Sequence, residues 1–477
     1  MTDSVHWRAR SRRQWLLPLP MLTALCLCAS VLPVPAGAQQ RSARDSIMAD
    51  STARDSIAAR LARAEAAIEL LRRQLAIEAG SVVRTRSRLQ LELSVRILTN
   101  AFVSTQRVNN IDVPQFALPR TVAPPPPPGG LPAPSPGSRA LGMSVRQSRV
   151  GAAVTVDSVL GATFEGDVEL DFFGGTSTGP GDRRLFPEPR LRTARARLRW
   201  NRTTVLVGSE TPLISDLNPI SLASVGVPGF VAAGNLWNWI PQIRIGRDVV
   251  ATPAGLRVGV QAALLSPVTG IQNVAESDAV DAGERAARPY LQGRLNVRWG
   301  DDAAESGAPS DVMISASGGE LGVGIHRGWL RVDGDSLRTS RAASVDVRVS
   351  LRSRVELRGE AYRGVLIRGL GGGAIGQTFG RALTGDAVGP PLRDTAGWAQ
   401  INVQSSTTLI TGVGCGGDRI RRVDRPLRVS NAACAVHLLW RPAQPVLVGL
   451  EFRRLTTHYD SETNRANHIN LSFGFEL

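Results

Sequence analysis

Serine, glycine and histidine patterns are the places where this sequence could carry chemistry. Residues 175–179, Gly-Thr-Ser-Thr-Gly, fit the nucleophile elbow, in which a serine is exposed on a sharp strand-to-helix turn. Here the motif falls in an expected loop. It is not flanked by a strand and a helix, and no nearby histidine is available as its base. We therefore expect no catalysis from this serine.

Two segments, 371–376 and 412–417, satisfy the GxGxxG pattern of dinucleotide sites. The pattern arises readily in a chain with 48 glycines, and neither segment is expected to open a helix. The histidines after residue 300 are scattered, without an acidic companion at ligand spacing. We expect no enzyme activity, no cofactor and no metal site.

All 56 basic residues are arginine, because the chain contains no lysine. This composition excludes Schiff-base chemistry, a Walker-type phosphate lysine and a serine-lysine pair. The net charge of +15 raises nucleic acid as a partner. The arginines are nevertheless spread among many short alternating segments rather than gathered in a patch, which argues against nucleic-acid binding.

The first 38 residues have the order of a secretory signal peptide. An arginine cluster is followed by an apolar run over 15–34 and by the small residues Ala36, Gly37 and Ala38. We expect the mature chain to begin at Gln39. After this point no uninterrupted apolar stretch reaches the ~18 residues that a membrane helix needs.

Residues 39–80 are expected to be helical. Apolar residues recur there at spacings of 4-3-4-3-4, the heptad pattern of a coiled coil: Ile57, Leu61, Ala64, Ile68, Leu71 and Leu75. The alternative is a single amphipathic helix lying on a domain surface. The pattern is too short to determine the number of helices.

From residue 87 onward the hydrophobic period changes to two, which predicts half-buried strands. Apolar residues alternate with polar ones over 89–97 and 162–172, and sixteen such segments follow one another to residue 477. The connections after odd-numbered strands are long, while those after even-numbered strands are mostly very short, with 300–318 as the exception. The long ones are expected as outer loops at 99–139, 174–188, 211–240, 266–288, 330–340, 367–395, 416–430 and 458–466.

Tryptophan positions fit the same architecture. Trp200, Trp299 and Trp440 each end an even-numbered strand, in phase with its apolar face, as in the aromatic girdle of a transmembrane β-barrel. Trp329 and Trp398 are expected in the opposite girdle. The last strand alternates apolar residues up to Leu477, like the terminal signal that the outer-membrane barrel assembly machinery reads.

Several short stretches resemble the trimeric outer-membrane porins of the DcaP-like and phosphate-porin-like group. They lie at 205–210, 397–402, 438–442, 449–452 and 466–468. The order of segments along the chain, with a signal peptide, a heptad segment and then a barrel, is also similar. The resemblance implies an all-β fold, a transmembrane antiparallel barrel of about sixteen strands over 87–477, and a homotrimer in outer-membrane lipid. Phosphate-selective relatives use lysine in the pore, so the absence of lysine removes phosphate specificity from what is implied.

The polar strand faces supply the pore-lining candidates. Glu165, Asp167 and Glu169 face the same way as Arg195, Arg197 and Arg199 on the returning strand. These two ladders either neutralise each other and stiffen the wall, or set a transverse field in the pore. Five further candidates have fewer obvious partners: Arg244, Arg294, Arg298, Arg348 and Arg352.

The third loop and two cysteines complete the candidate residues. We expect Asp216, Asn218, Trp237 and Trp239 to narrow the channel, the alternative being a lid or a trimer contact. Cys415 and Cys434 are expected on the lipid side of neighbouring strands, where they either form a disulfide or never meet.

Together these features predict an outer-membrane porin for passive diffusion of small hydrophilic, anionic solutes through an arginine-rich lumen. Its N-terminal segment would lie in the periplasm. The alternative is a structural barrel tethered through its coiled-coil stalk, with no transport role.

The heptad pattern predicts that 57–75 forms a parallel trimeric coiled coil. Replacing Ile68 and Leu71 by Asp places charges in its apolar interface, so the stalk should dissociate while the barrel remains folded. Cross-linking of the isolated stalk peptide would show trimers for the native sequence only. Monomers of both the native peptide and the full protein in mild detergent would contradict the prediction.

Overall fold

The computed structural model describes residues 82–84, 89–119, 139–174, 182–270, 280–300, 314, 317–332, 336–351, 354–383 and 388–477. The predicted signal peptide (1–38) and heptad segment (39–80) lie outside the described residues. Among the described residues, no helix combines the length and the apolar character needed to cross a membrane.

Eighteen strands of the described residues form one antiparallel sheet. They are β1 (Val82–Arg84), β2 (Leu89–Ser104), β3 (Ala140–Ser144), β4 (Arg149–Val159), β5 (Ala162–Asp171), β6 (Arg190–Arg199), β7 (Thr203–Glu210), β8 (Ile240–Ala251), β9 (Arg257–Leu265), β10 (Tyr290–Trp299), β11 (Gly319–Val332), β12 (Ser336–Leu351), β13 (Val355–Val365), β14 (Arg393–Ser406), β15 (Leu409–Ile420), β16 (Arg428–Trp440), β17 (Val446–Tyr459) and β18 (Thr463–Glu476).

The sheet closes on itself because β18 pairs with β2, from His468 opposite Ser104 to Glu476 opposite Arg96. β3 and β4 pair with different parts of β2, so they form one wall strand interrupted at 145–148. The short β1 pairs with the start of β2. Counting β3 and β4 as one and leaving out β1, the wall has sixteen strands, which confirms the predicted all-β antiparallel barrel.

The strand faces are inverted relative to a water-soluble protein. On β17 the outward Leu450 and Phe452 are 48% and 43% exposed, whereas the inward Glu451 and Arg453 are each 4% exposed. Alternation of period two places every second side chain on the same face. An apolar outer face and a charged inner face suit a barrel with lipid outside and polar groups inside.

Tryptophans follow this outward phase at the turn end of the barrel, where Trp299 ends β10 and Trp440 ends β16. The expectation for Trp398 was wrong. It is 3% exposed, faces the lumen and donates from Nε1 to Glu360 Oε2 at 3.2 Å. The residues on either side of Trp398 that face outward are Gly397 and Ala399. Because these side chains are so small, the sequence pattern did not show which face of β14 points outward.

Three expected outer loops are shorter than the hydrophobic pattern indicated. The connections expected at 330–340, 416–430 and 458–466 occupy only 333–335, 421–427 and 460–462, and the first loop starts at 105 rather than 99. The ladder of β11 and β12 runs out to Val332 opposite Ser336. Backbone pairing thus continues beyond the apolar band that the alternation detected.

The hydrophobic core lies inside the barrel, around the third loop (211–239). Leu213, Ile214 and Leu236 of this loop are buried to 1% exposure or less and pack with wall residues such as Tyr290 and Tyr362. A second cluster joins the loop residue Phe230 to Trp398, and a third joins Ile220 and Leu222 to Leu98. The loop folds inward because it is as apolar as a soluble core.

A disulfide joins Cys415 and Cys434, which are direct cross-strand partners on β15 and β16. Their Cα atoms are 4.1 Å apart. Both residues share the outward phase of Val413 and Val436, which are 50% and 56% exposed.

We expect the unreduced protein to contain no free thiol at these two positions, as mass spectrometry of its peptides would show. Replacing both cysteines by Ser should leave the barrel folded but lower its stability by about 3 kcal/mol, since the bond closes a loop of 19 residues. The readout is the temperature at which the barrel loses its compact electrophoretic mobility. Two free thiols in the native protein would contradict this expectation.

Candidate functional site

Glutamine side chains attach the third loop to different sides of the lumen wall. Gln292 accepts from Ile214 N at 3.0 Å, while Gln400 accepts from Ile220 N at 2.8 Å and donates to Ile220 O at 2.9 Å. Gln147, in the turn between β3 and β4, accepts from Val225 N at 2.6 Å. The loop therefore crosses the lumen and is held at both sides.

Arginines attach the same loop through its carbonyl groups. Arg358 Nη1 donates to Asn218 O at 2.9 Å, and Arg149 and Arg192 both donate to Val225 O at 2.8 Å. Backbone carbonyls buried in the lumen need hydrogen-bond partners, and these guanidinium groups provide them.

The acidic and basic ladders predicted from the sequence do meet. Arg195 contacts Asp167 at 2.8 Å and also pairs with Glu210, while Arg197 reaches Glu165 at 3.2 Å. Arg199 pairs with the same Glu165. Glu169 pairs with Arg192 at 2.6 Å, a partner that the sequence did not indicate because the register of β5 and β6 shifts between Glu169 and Leu170.

The expectation that the remaining arginines have few partners was wrong for Arg294 and Arg298. Arg294 is 3% exposed and contacts Asp346 through Nη1 and Nη2 at 2.5 and 2.7 Å. Arg298 contacts Asp248 at 2.5 Å. These carboxylates lie 52 and 50 residues away in sequence, on other strands, so strand alternation could not reveal them.

The other two of these predicted arginines are Arg348 on β12 and Arg352 beyond it. Arg348 faces the lumen and is 9% exposed, opposite Glu320 in the register of β11 and β12. Arg352 lies outside the described residues.

The four predicted constriction residues are among the few parts of the third loop that keep solvent contact. Within 211–240, only Asp216, Asn218 and 237–239 are partly exposed, and all other positions are buried. Trp237 and Trp239 meet edge to face, with ring centroids 4.9 Å apart. The guanidinium of Arg192 lies 4.2 Å from the ring centroid of Trp239.

Asp216 is the charged group on this loop that faces arginine. Burial by itself would raise the pKa of its carboxyl, but the nearby Arg244 and Arg294 together with a hydrogen bond from Thr211 Oγ1 at 3.0 Å hold that pKa below its usual value. The carboxylate therefore stays ionised at neutral pH.

A cavity open to solvent lies against the wall formed by β6 to β11. Its lining includes seven arginines and three carboxylates: Arg197, Arg199, Arg202, Arg244, Arg247, Arg257, Arg298, Asp216, Asp248 and Glu320. Sequence reasoning did not include Asp248 and Glu320 among the site candidates. Asp248 adjoins a register shift, and Glu320 lies at the start of β11, so neither lies in a clean alternating run.

The glycine patterns acquire no chemical role. Residues 412–417 lie within β15, and 371–376 lie in the connection between β13 and β14, where Ala374 and Ile375 have left-handed backbone angles rather than helical ones. Residues 175–179 lie outside the described residues. Within the described ranges, no group of three or more metal-binding side chains comes together.

Pairing inside the lumen should carry much of the stability. Asp346→Leu leaves the buried Arg294 with Glu320 as its remaining ion-pair partner among the described residues, and removing one partner of a buried pair costs about 3–5 kcal/mol. The matched control is Asp460→Leu, whose partner Arg381 is 57% exposed, where about 0–1 kcal/mol is expected. The measurement is the unfolding temperature followed by electrophoretic mobility, and equal shifts for the two variants would contradict the assignment.

No family model matches this chain, and no curated protein sequence matches it. The outer-membrane channel DcaP of Acinetobacter baumannii is similar in structure, with 13% identity, 83% of this chain and 99% of that chain covered, and a TM-score of 0.58. The anion-selective porin from Comamonas acidovorans has 12% identity, 82% and 100% coverage, and a TM-score of 0.49. The chain thus has the barrel fold of the DcaP channel.

Proposed function

We propose that this protein is an outer-membrane porin through which small hydrophilic, anionic solutes diffuse passively. The observation that carries the proposal is the cavity against β6 to β11, whose lining holds more guanidinium groups than carboxylates. The fold shared with the DcaP channel supports the channel assignment. No chemical step is required of the protein.

Shared carboxylates are the source of the positive surplus. Glu165 pairs with both Arg197 and Arg199, and Asp248 pairs with both Arg257 and Arg298 at 3.1 and 2.5 Å. One negative charge cannot neutralise two guanidinium groups. A small anion entering the cavity would therefore meet a net positive wall.

Arg244 contributes to this field without an ion pair of its own. Its guanidinium donates to Thr211 O at 2.8 Å and to Gln242 Oε1 at 3.1 Å, and within the described residues no carboxylate oxygen lies within 4.0 Å of it. Arginine keeps its charge at every physiological pH. Because salt limits the reach of that charge to about 8 Å, only arginines at the cavity should affect permeating ions.

The membrane location and assembly are part of the proposal. Residues 1–38 would direct secretion, 39–80 would form a periplasmic stalk, and 87–477 would form the barrel of a homotrimer. The exposed final strand, with Phe473 and Leu477 at 61% and 63% exposure, would be read by the barrel assembly machinery.

The tethering alternative is favoured by one observation, the burial of the third loop within the lumen. A barrel filled in this way could serve as an anchor for its stalk. Planar-bilayer recordings separate the two functions, because a trimeric porin gives stepwise closures in groups of three and a filled barrel gives no current.

We predict anion selectivity that depends on the cavity arginines. In a KCl gradient the reversal potential should have the anion-selective sign and shrink as salt rises. Arg244→Glu should lower the ratio of chloride to potassium permeability by roughly fivefold, the effect of about 1 kcal/mol of electrostatic energy. A cation-selective sign at low salt in the native protein would refute the anion preference.

The control for this measurement is Arg381→Glu, on an outer connection, where the side chain is exposed and pairs with Asp460. It makes the same change of charge away from the cavity, so selectivity should stay near the native value. Equal losses in both variants would indicate a general charge effect instead of a site in the lumen.

A further inference from the structure

Seven exposed arginines of the described strands share the outward phase toward the loop end of the barrel. They are Arg327 on β11, Arg341 on β12, Arg363 on β13, Arg393 on β14, Arg419 on β15, Arg454 on β17 and Arg465 on β18. On β11 and β12 the same outward phase contains Ile325 and Val345, which are 61% and 43% exposed. The arginines therefore point away from the lumen, toward the surroundings of the barrel.

Their level along the barrel agrees with the headgroup region of a bilayer. An outward arginine costs about 2–4 kcal/mol at the midplane but 0–1 near the interface. Trp329, two residues beyond Arg327 on the same face, is the kind of residue that marks a membrane interface. The Arg327 guanidinium lies 5.6 Å from its ring centroid.

Three of these residues, Arg327, Arg341 and Arg363, form what we call the arginine cluster. Arg327 and Arg341 are direct cross-strand partners, and Arg363 pairs with Ala343, two residues from Arg341. Like charges placed opposite each other destabilise a sheet. This arrangement is unfavourable unless an anion lies between the side chains.

The protein does not supply that anion among its described residues. Within the described ranges, no carboxylate lies within 4.0 Å of the three guanidinium groups, and the outward-facing residues of β11 to β18 include no Asp or Glu. The loop-side halves of β2 to β10, where described, carry no outward-facing arginine. In the loop-side half of the described wall, the outward-facing arginines therefore lie on β11 to β18 and not on β2 to β10, although both sets of strands reach the same level of the membrane.

We propose that the arginine cluster binds the phosphate groups of an anionic lipid headgroup in the outer leaflet. Guanidinium groups bind phosphate through two parallel hydrogen bonds, and one phosphate can bridge two arginines. A phosphate between Arg327 and Arg341 would turn their repulsion into two attractive contacts. This inference rests on the outer-membrane location proposed above, but not on ion conduction.

The test uses purified full-length protein in detergent, with bisphosphorylated lipid A and the same lipid without its phosphates as probes. Native mass spectrometry reports the fraction of protein with bound lipid. Arg327→Gln/Arg341→Gln/Arg363→Gln should lower the apparent affinity for the phosphorylated lipid by about tenfold or more, because each basic residue adds to attraction toward anionic lipid. The corresponding Arg→Lys variant should bind more tightly than the Gln variant because it keeps the charge, but less tightly than the native protein because an ammonium cannot make the two parallel hydrogen bonds.

The matched control is Arg381→Gln/Arg421→Gln/Arg422→Gln, which removes three exposed arginines from the outer connections instead. It should bind like the native protein. Inorganic phosphate in large excess should not displace the lipid, which separates a lipid site from a site for free phosphate. Should the triple Gln variant fail to fold, Arg341→Gln alone should still lower affinity by roughly fivefold.

Equal binding of phosphorylated lipid by the native protein and the Gln variant would overturn the proposal, as would equal binding of the two lipid forms. Displacement by inorganic phosphate would also overturn it. Channel conductance should be unchanged in the Gln variant, because the cluster lies outside the lumen. A native protein that binds lipid but conducts no ions would instead contradict the proposed porin function alone.

Discussion

The alternation of the barrel wall between two environments is the constraint on which the rest of the structure depends. Each strand places every second side chain outward, where apolar residues such as Leu450 are exposed, and the others inward. Because charge is costly against hydrocarbon, most charged side chains of the described wall face the interior. The lumen must then satisfy them, which explains why its arginines and carboxylates pair so closely.

The same constraint makes the third loop a structural element rather than a surface connection. Its apolar residues fill the space between charged wall side chains, and its carbonyls accept hydrogen bonds from Arg358, Arg149 and Arg192. Arginine suits this role because its five donors can contact a carboxylate and a carbonyl together. A lysine ammonium has no comparable planar geometry, so the lysine-free composition matches the demands of this interior.

Arginines on the outside of the barrel are distributed differently from those in the lumen. Among the described residues, most outward-facing arginines lie toward the loop end and on one arc, which includes Arg327, Arg341 and Arg363. Inside, most arginines pair with carboxylates of the protein itself, and a surplus of guanidinium groups remains at the cavity. Outside, it is placed where an external anion can reach it, so one residue type serves both a packed interior and a membrane surface.

The sequence alone determined the fold class, because period-two alternation and the lengths of connections are local properties of the chain. It also identified most of the arginines that line the cavity, including Arg197, Arg244 and Arg298. Only the tertiary structure decided their partners, since Asp346 and Asp248 reach Arg294 and Arg298 across strands distant in sequence. It likewise decided the inward phase of Trp398 and the true loop lengths, because backbone pairing extends beyond the hydrophobic pattern that sequence analysis reads.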